Sequence, residues 1–314
     1  MRFLPLSSTL LAVWALVGYP LTTRAEFSLS SGDYYSANYF SNIITQYDSA
    51  GNIVGSYTLP AEYGSQVKGL TFGPDNLLYA TTVTDAGFSV IALDGAGNVQ
   101  QTYSGTVYIN GNLSYGKIST DSNYLYVSGQ NVLTRFLLGD PSSGTVIYSD
   151  NQIYDSVPLP NGNLFVAAAY SVQEITINGA LVRTFTLLGG DNSTINDIRG
   201  IEYNQATNDL FVTELGHSGS FHNLLRFNAA TGAFEKETTF IYGDDIFLTI
   251  SGALLVGSRI ESPTFFDQDL NSLGATLHGG QQMFVTQFVP EPSVFALIAL
   301  GLAVGIGHAA FRKR

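Results

Sequence analysis

The sequence predicts an all-β chain: a six-bladed β-propeller of four-stranded blades, flanked by an N-terminal signal helix and a C-terminal transmembrane helix. Three observations carry this. A strand–turn–strand pattern recurs six times, a second one alternates with it, and apolar segments stand at both ends. The elements divide the 314 residues into 1–25, 26–289 and 290–314.

At the N-terminus, "MRFLPLSSTLLAVWALVGYPLTTRA" has a cation at Arg2, an apolar stretch from Leu10 to Gly18, and small residues at Thr23 and Ala25. That order reads as a secretory signal peptide with its cut after Ala25.

The first body pattern is an apolar strand, a turn with Asp, Asn or Gly, and a second strand, as in "IITQYDSAGNIVGSYTL" and "SVIALDGAGNVQQTYS". Anchored on Tyr47, Leu93, Phe136, Ile175, Phe227 and Phe266, its spacings are 46, 43, 39, 52 and 39 residues. The second pattern, as in "GLTFGPDNLLYATT" and "GIEYNQATNDLFVTE", sits between them five times. Each is two short β-rich strands around a tight polar turn. Four strands per period of some 44 residues is the signature of propeller blades. With the strands lettered A to D outward from the axis, the second pattern supplies A and B and the first supplies C and D. "DYYSANY" (33–39) reads as a lone B strand. "MFVTQF" (283–288) has no partners of its own, so it is expected to supply the missing A strand and close six blades into a ring without an exposed edge.

The last stretch has three parts: Pro290-Glu291-Pro292, an apolar run of eighteen residues from Val294 to Phe311 whose one titratable side chain is His308, and the basic end Arg312-Lys313-Arg314. Eighteen residues are about the minimum for a membrane helix, and the terminal cations favour the cytoplasmic side. Motif, span and basic end in this order resemble the PEP-CTERM sorting signal of Gram-negative bacteria. The resemblance implies recognition by an exosortase, transient anchoring in the inner membrane, cleavage near the motif, and delivery to the cell surface or to an exopolysaccharide matrix. It says nothing about the chemistry of the body.

Composition narrows that chemistry. Five of the 13 cations and one of the 25 anions lie in the two ends, leaving 8 and 24 in the body, a net charge of −16. Such a body repels nucleic acid and anionic membrane surfaces. There is no cysteine, which excludes disulfides, thiol catalysis and cysteine-ligated zinc. The B–C–turn–D pattern, as in "LLYATT" followed by "FSVIALDGAGNV", resembles NHL-type and gluconolactonase-type six-bladed propellers. The "RI" step typical of NHL repeats is absent, and no catalytic set carries over.

Loop lengths are asymmetric. The A–B and C–D turns are short, whereas the B–C and D–A connections hold nearly every long loop, including "SGTVYINGNLSYG" and "TELGHSGSFHN". Function tends to sit on long loops, so the B–C/D–A face is the expected working face. Aligned A strands bring Lys68, Tyr115, Asp155, Arg199 and Asp245 to one position, which should ring the channel mouth and suit a polar ligand or a cation. Asp155, Asp197, Glu214 and Asp245 are the candidate ligands for a divalent metal. His217 and His222 are five apart on a Gly/Ser loop, not at the spacing of a helical zinc pair. "DGAGN" and "DSAGN" lack the closing Glu of a calcium loop and read as β-turns. No nucleophile motif of the G-x-S-x-G kind is present. Two functions follow. One is a non-catalytic surface or matrix module that binds exopolysaccharide or a surface protein and needs no cofactor. The other is a secreted gluconolactonase-like hydrolase with a divalent cation at the channel mouth.

Overall fold

Alternating apolar residues and tight Asn/Asp/Gly turns fold the repeat into antiparallel meanders. The computed structural model describes residues 28–288 apart from 39, 85–86, 106–115, 215–221, 241 and 281. The expected signal helix with its cut after Ala25, the Pro290-Glu291-Pro292 motif and the tail through Arg314 lie outside the described residues. Among the described residues no helix is long and apolar enough to cross a membrane.

Six sheets of four strands form the propeller. The second blade shows the plan: Val67–Phe72 innermost, then Leu78–Thr84, Gly87–Leu93 and Val99–Gly105 outward. The other inner strands are Ile118–Thr120, Ile153–Pro158, Ile198–Asn204 and Gly243–Leu248, with Phe284–Gln287 serving the first blade.

The turns show why the polar residues recur. In the C–D turns of the first two blades, the Asp48 and Asp94 carboxylates each accept two main-chain N–H bonds, at 2.9 Å, from the residues two and four further on. Gly51 and Gly97 adopt φ of 84° and 78°, which only glycine takes without strain. The bonds to Asn52 and Asn98 foremost hold both carboxyls below their usual range. These are turns, as expected, and their acid oxygens are committed to the backbone. In the A–B turns, Asp75 and Asp121 each accept a bond at 2.6 Å from a buried tyrosine, Tyr79 and Tyr126.

Those tyrosines belong to a repeating core position. Tyr35, Tyr79, Tyr126, Phe165, Phe211 and Leu255 occur once per blade in the B strands, all within 1% of full burial. Successive large side chains pack blade against blade, and the buried hydroxyls of the tyrosines find partners, as burial demands.

Closure follows the expected route. Phe284–Gln287 pairs antiparallel with Tyr34–Ala37, Tyr34 opposite Gln287 and Ala37 opposite Phe284. The last strand of the described chain thereby joins the first blade. The neighbouring seam has a second fastening. The His278 N–H donates to the Gly51 carbonyl at 3.1 Å, and a Cβ at Gly51 would stand 2.8 Å from the Thr276 carbonyl oxygen. Phe284 is fully buried, and truncating a buried Phe costs about 3–5 kcal/mol. Phe284→Ala should therefore lower the unfolding free energy in urea by about that amount. An unchanged midpoint would mean that this strand does not close the ring.

Candidate functional site

The inner strands converge on a channel, and each meets its neighbour at an angle that leaves main-chain N–H groups without a strand partner. Side chains at the axis take over. The Asp155 carboxylate accepts the N–H of Ile201 in the next blade at 3.0 Å. Asp245 accepts that of Val285 at 3.1 Å, and Glu202 that of Leu248 at 3.4 Å. Gln287 accepts from Ile250 at 3.0 Å.

The residues expected in one ring fall into two layers. In four inner strands the register skips one residue, a β-bulge: Lys68, Tyr154, Arg199 and Asp244. Lys68 and Arg199 are therefore bulge residues, whereas Asp155 and Asp245 stand one position later, level with Gly69 and Gly200. Tyr115 lies outside the described residues. In the third blade the level position belongs to Lys117, directly before Ile118, which pairs with Val127. Lys68, Asp155, Arg199 and Asp245 are all buried, not solvated loop residues.

Lys117 is the centre of the layer. Its side chain reaches from the third blade to the opposite, sixth blade. The ammonium lies 2.9 Å from Asp245 and 3.4 Å from Asp155, with only 3% of the side chain exposed. Gly200 leaves room for it, since a Cβ there would sit 3.0 Å from Lys117 Nζ. Burial disfavours the ammonium, but Asp155 and Asp245 outweigh it and hold its pKa above the ordinary lysine value. One cation cannot neutralise two buried carboxylates. Burial, which outweighs the opposing pull of Lys117 and is helped by repulsion from Asp245, pushes Asp155 up to about 6. Burial also lowers Lys68 to about 7.

Further along the axis, Glu202 is half-buried by area because it faces the channel. Protein nevertheless surrounds it, and this burial pushes its carboxyl up to about 8 despite main-chain bonds to Tyr203 and Leu248.

The four candidate metal ligands do not gather round one point. Asp155 and Asp245 hold Lys117 between them. Asp197 pairs with Arg199, whose guanidinium lies 4.8 Å from the Tyr154 ring centre. Glu214 accepts bonds from the Asn196 N–H at 3.2 Å and the Asn223 amide at 3.0 Å. Among the described residues no three His, Asp or Glu side chains form a group able to hold a metal. His217 lies outside the described residues.

Beyond the charged layer the channel widens into a cavity of about 260 Å³, lined by residues of all six inner strands. A second hollow of about 380 Å³ reaches Gly73, Pro74, Asp121 and Ser122 of two A–B turns. The two share Thr71, Phe72, Thr120 and Phe247. On this side the channel opens at the short-turn face, opposite to the long loops.

Two predictions follow from these charges. Lys117→Met leaves two carboxylates facing each other without a cation, and breaking a buried pair this way costs about 3–5 kcal/mol. Urea unfolding should show that loss, and stability equal to the parent chain would remove Lys117 from its role. The second concerns pH. The unfolded chain ionises Glu202 near the ordinary value, about 4.3, and the folded chain at about 8. Between these values the folded state holds more protons, so stability falls as pH rises. Asp155 acts in the same direction up to about 6. Lys68 opposes the trend only above about 7, where the folded lysine loses its proton first. Between pH 5 and 7 (chosen to avoid Lys68), Glu202→Gln should flatten the decline by about 1 kcal/mol per pH unit. Parallel slopes for the two proteins would contradict the assignment.

No protein-family model matches the chain, and no curated protein matches it. Solved structures do. A chain in the crystal structure of a nidogen/laminin complex superposes with a TM-score of 0.61 at 13% identity, covering 83% of this chain and 99% of that one. A functionally unknown protein from Desulfotomaculum acetoxidans gives 0.56 at 13%, covering 84% and 88%. Virginiamycin B lyase from Staphylococcus aureus gives 0.51 at 15%, covering 80% and 84%. At such identities the likeness shows the fold alone, the six-bladed propeller already expected from the repeat.

Proposed function

We propose that the protein is an exported, non-catalytic binding or structural module of the cell surface or the exopolysaccharide matrix. It is sorted by an exosortase after brief anchoring in the inner membrane. The observation that carries the proposal is the pairing of an N-terminal secretory signal, ending at Ala25, with the Pro290-Glu291-Pro292 tail and its basic end. The channel supports the non-catalytic part. Asp155 and Asp245 are committed to neighbouring N–H groups and to Lys117, which leaves neither carboxylate free to act as a base. The net charge of −16 on the body turns the module away from nucleic acid and towards neutral matrix or a surface protein.

The hydrolase reading requires a divalent cation at the axis. A cation between Asp155 and Asp245 must displace the Lys117 ammonium, and this weighs against that reading. Metal analysis of the purified protein with and without chelator decides it, and a stoichiometric bound cation would revive it.

Mass spectrometry of surface material should find a mature chain that begins near Glu26 and ends near the Pro290-Glu291-Pro292 motif. A surface protein intact through Arg314 would sink the sorting proposal. The same material should sediment with the cells' own exopolysaccharide, and protein that stays in the supernatant would count against a matrix role.

A further inference from the structure

The channel cavity has a lining that its structural duties do not exhaust. Thr71, Ser119, Thr120 and Ser156 line it together with Glu202, among apolar walls that include Leu70 and Ile246, and of these hydroxyls that of Thr120 donates to the Phe72 carbonyl at 2.7 Å. Ser119 and Ser156 lie 3.2 Å apart, so they form a pair that can donate or accept as a ligand requires. Phe72 and Phe247 border both the cavity and the outer hollow, which places two aromatic rings at the entrance.

Each property removes a class of ligand. The floor holds two carboxylates against one ammonium, and the uncompensated negative charge repels anions. Glu202 keeps its proton at neutral pH and can donate a hydrogen bond. Mixed hydroxyl and apolar walls suit a ligand with hydroxyls at its edge and C–H groups on its faces. Size sets the last limit. A volume of 260 Å³ equals some eight or nine waters at about 30 Å³ each, just below the range of about 300–1,000 Å³ for drug-sized pockets. One small ring fits, and because Lys117 lies across the far end, a polymer enters only by its tip.

We propose that the channel binds a single neutral sugar ring, free or at the end of a polysaccharide chain, entering from the short-turn face past Phe72 and Phe247. This rests on the reading of the protein as a matrix-binding module and names the chemistry of its ligand.

The full chain, purified in a detergent without a sugar headgroup, is titrated by calorimetry with glucose, galactose, mannose, N-acetylglucosamine and glucuronate. Trisaccharides of the neutral sugars form a second arm, which separates free rings from chain ends. At least one neutral sugar should saturate, with glucuronate weaker by about tenfold or more. Ser156→Leu, which fills the cavity, should weaken binding by about tenfold or more. Thr71→Val keeps the volume but loses a hydroxyl and should weaken it about three- to tenfold. Thermal unfolding checks that each variant is folded. Absence of binding by every neutral sugar overturns the proposal, and so does glucuronate binding as tightly as the best of them. If Ser156→Leu does not fold, Thr71→Val decides, and parental affinity in that variant overturns the site. If the cells' own matrix polysaccharide binds while the sugars and trisaccharides do not, the channel proposal fails and the matrix reading stands. If nothing binds, both fail.

Discussion

The fold depends on how the inner strands satisfy their peptide groups at the axis. A blade pairs each strand with the next one outward, but its innermost strand has a second edge that faces another blade at an angle no ladder can bridge. A buried N–H without a partner costs about 1–3 kcal/mol. Asp155, Glu202 and Asp245 meet this need by accepting N–H groups of the following blade. Gln287 makes the reverse link with an uncharged amide, accepting the N–H of Ile250 in an A–B turn of the sixth blade. The carboxylates bring charge to a buried place, and Lys117 answers two of them from across the ring. Glycine at 200 leaves room for its ammonium, which a Cβ there would approach to 3.0 Å. Acids, lysine and glycine form one device, and its first duty is to hold blades together.

Closure raises the same question where the first and sixth blades meet. A propeller assembled from one chain has a seam, and the seam must be as well bonded as the other joints. Here Phe284–Gln287 completes the first blade from the far end of the chain. The tight turn at Gly51 then packs against the outer strand of the sixth blade. Both fastenings are of high sequence separation, so each closes a long loop at an entropic cost that grows only slowly with its length.

Much of this was legible in the sequence, and the part that was not has a definite cause. Period, strand alternation and turn chemistry each leave a local trace, so six blades and the role of "MFVTQF" could be read directly. A β-bulge leaves none. It inserts one residue and so shifts the phase of the alternation, a shift that inner strands of three to seven residues are too short to reveal, and it puts Lys68 and Arg199 out of step with Asp155 and Asp245. Lys117 was missed for a related reason. The third inner strand has only three residues, Ile118–Thr120, and the long loop before it drew the alignment to Tyr115. A signal was available: in "GKIST" the lysine stands before the first apolar strand residue, as Asp245 does in "DIFL". Pairing of opposite blades has no trace in a linear repeat, because residues 117 and 245 meet only when the ring closes.

Loop length and the hollows of the described channel point to different faces. Long connections suggest a binding face at the end from which they rise, and two of them, 106–115 and 215–221, lie outside the described residues. Short turns cannot reach across the axis, so they leave the other mouth open. The two ends of this channel are chemically unlike: the long-loop end is occupied by Lys117 and its carboxylates, whereas the short-turn end offers hydroxyls between apolar walls. A solute entering from the open side meets groups that adapt their hydrogen bonds by rotating a hydroxyl. Only at the floor does it meet charge, and there it must compete with an ammonium held by two carboxylates and with N–H groups that already have partners. The geometry therefore favours ligands that stop short of the floor, and the part of the channel that holds the ring together stays apart from the part that is free to bind.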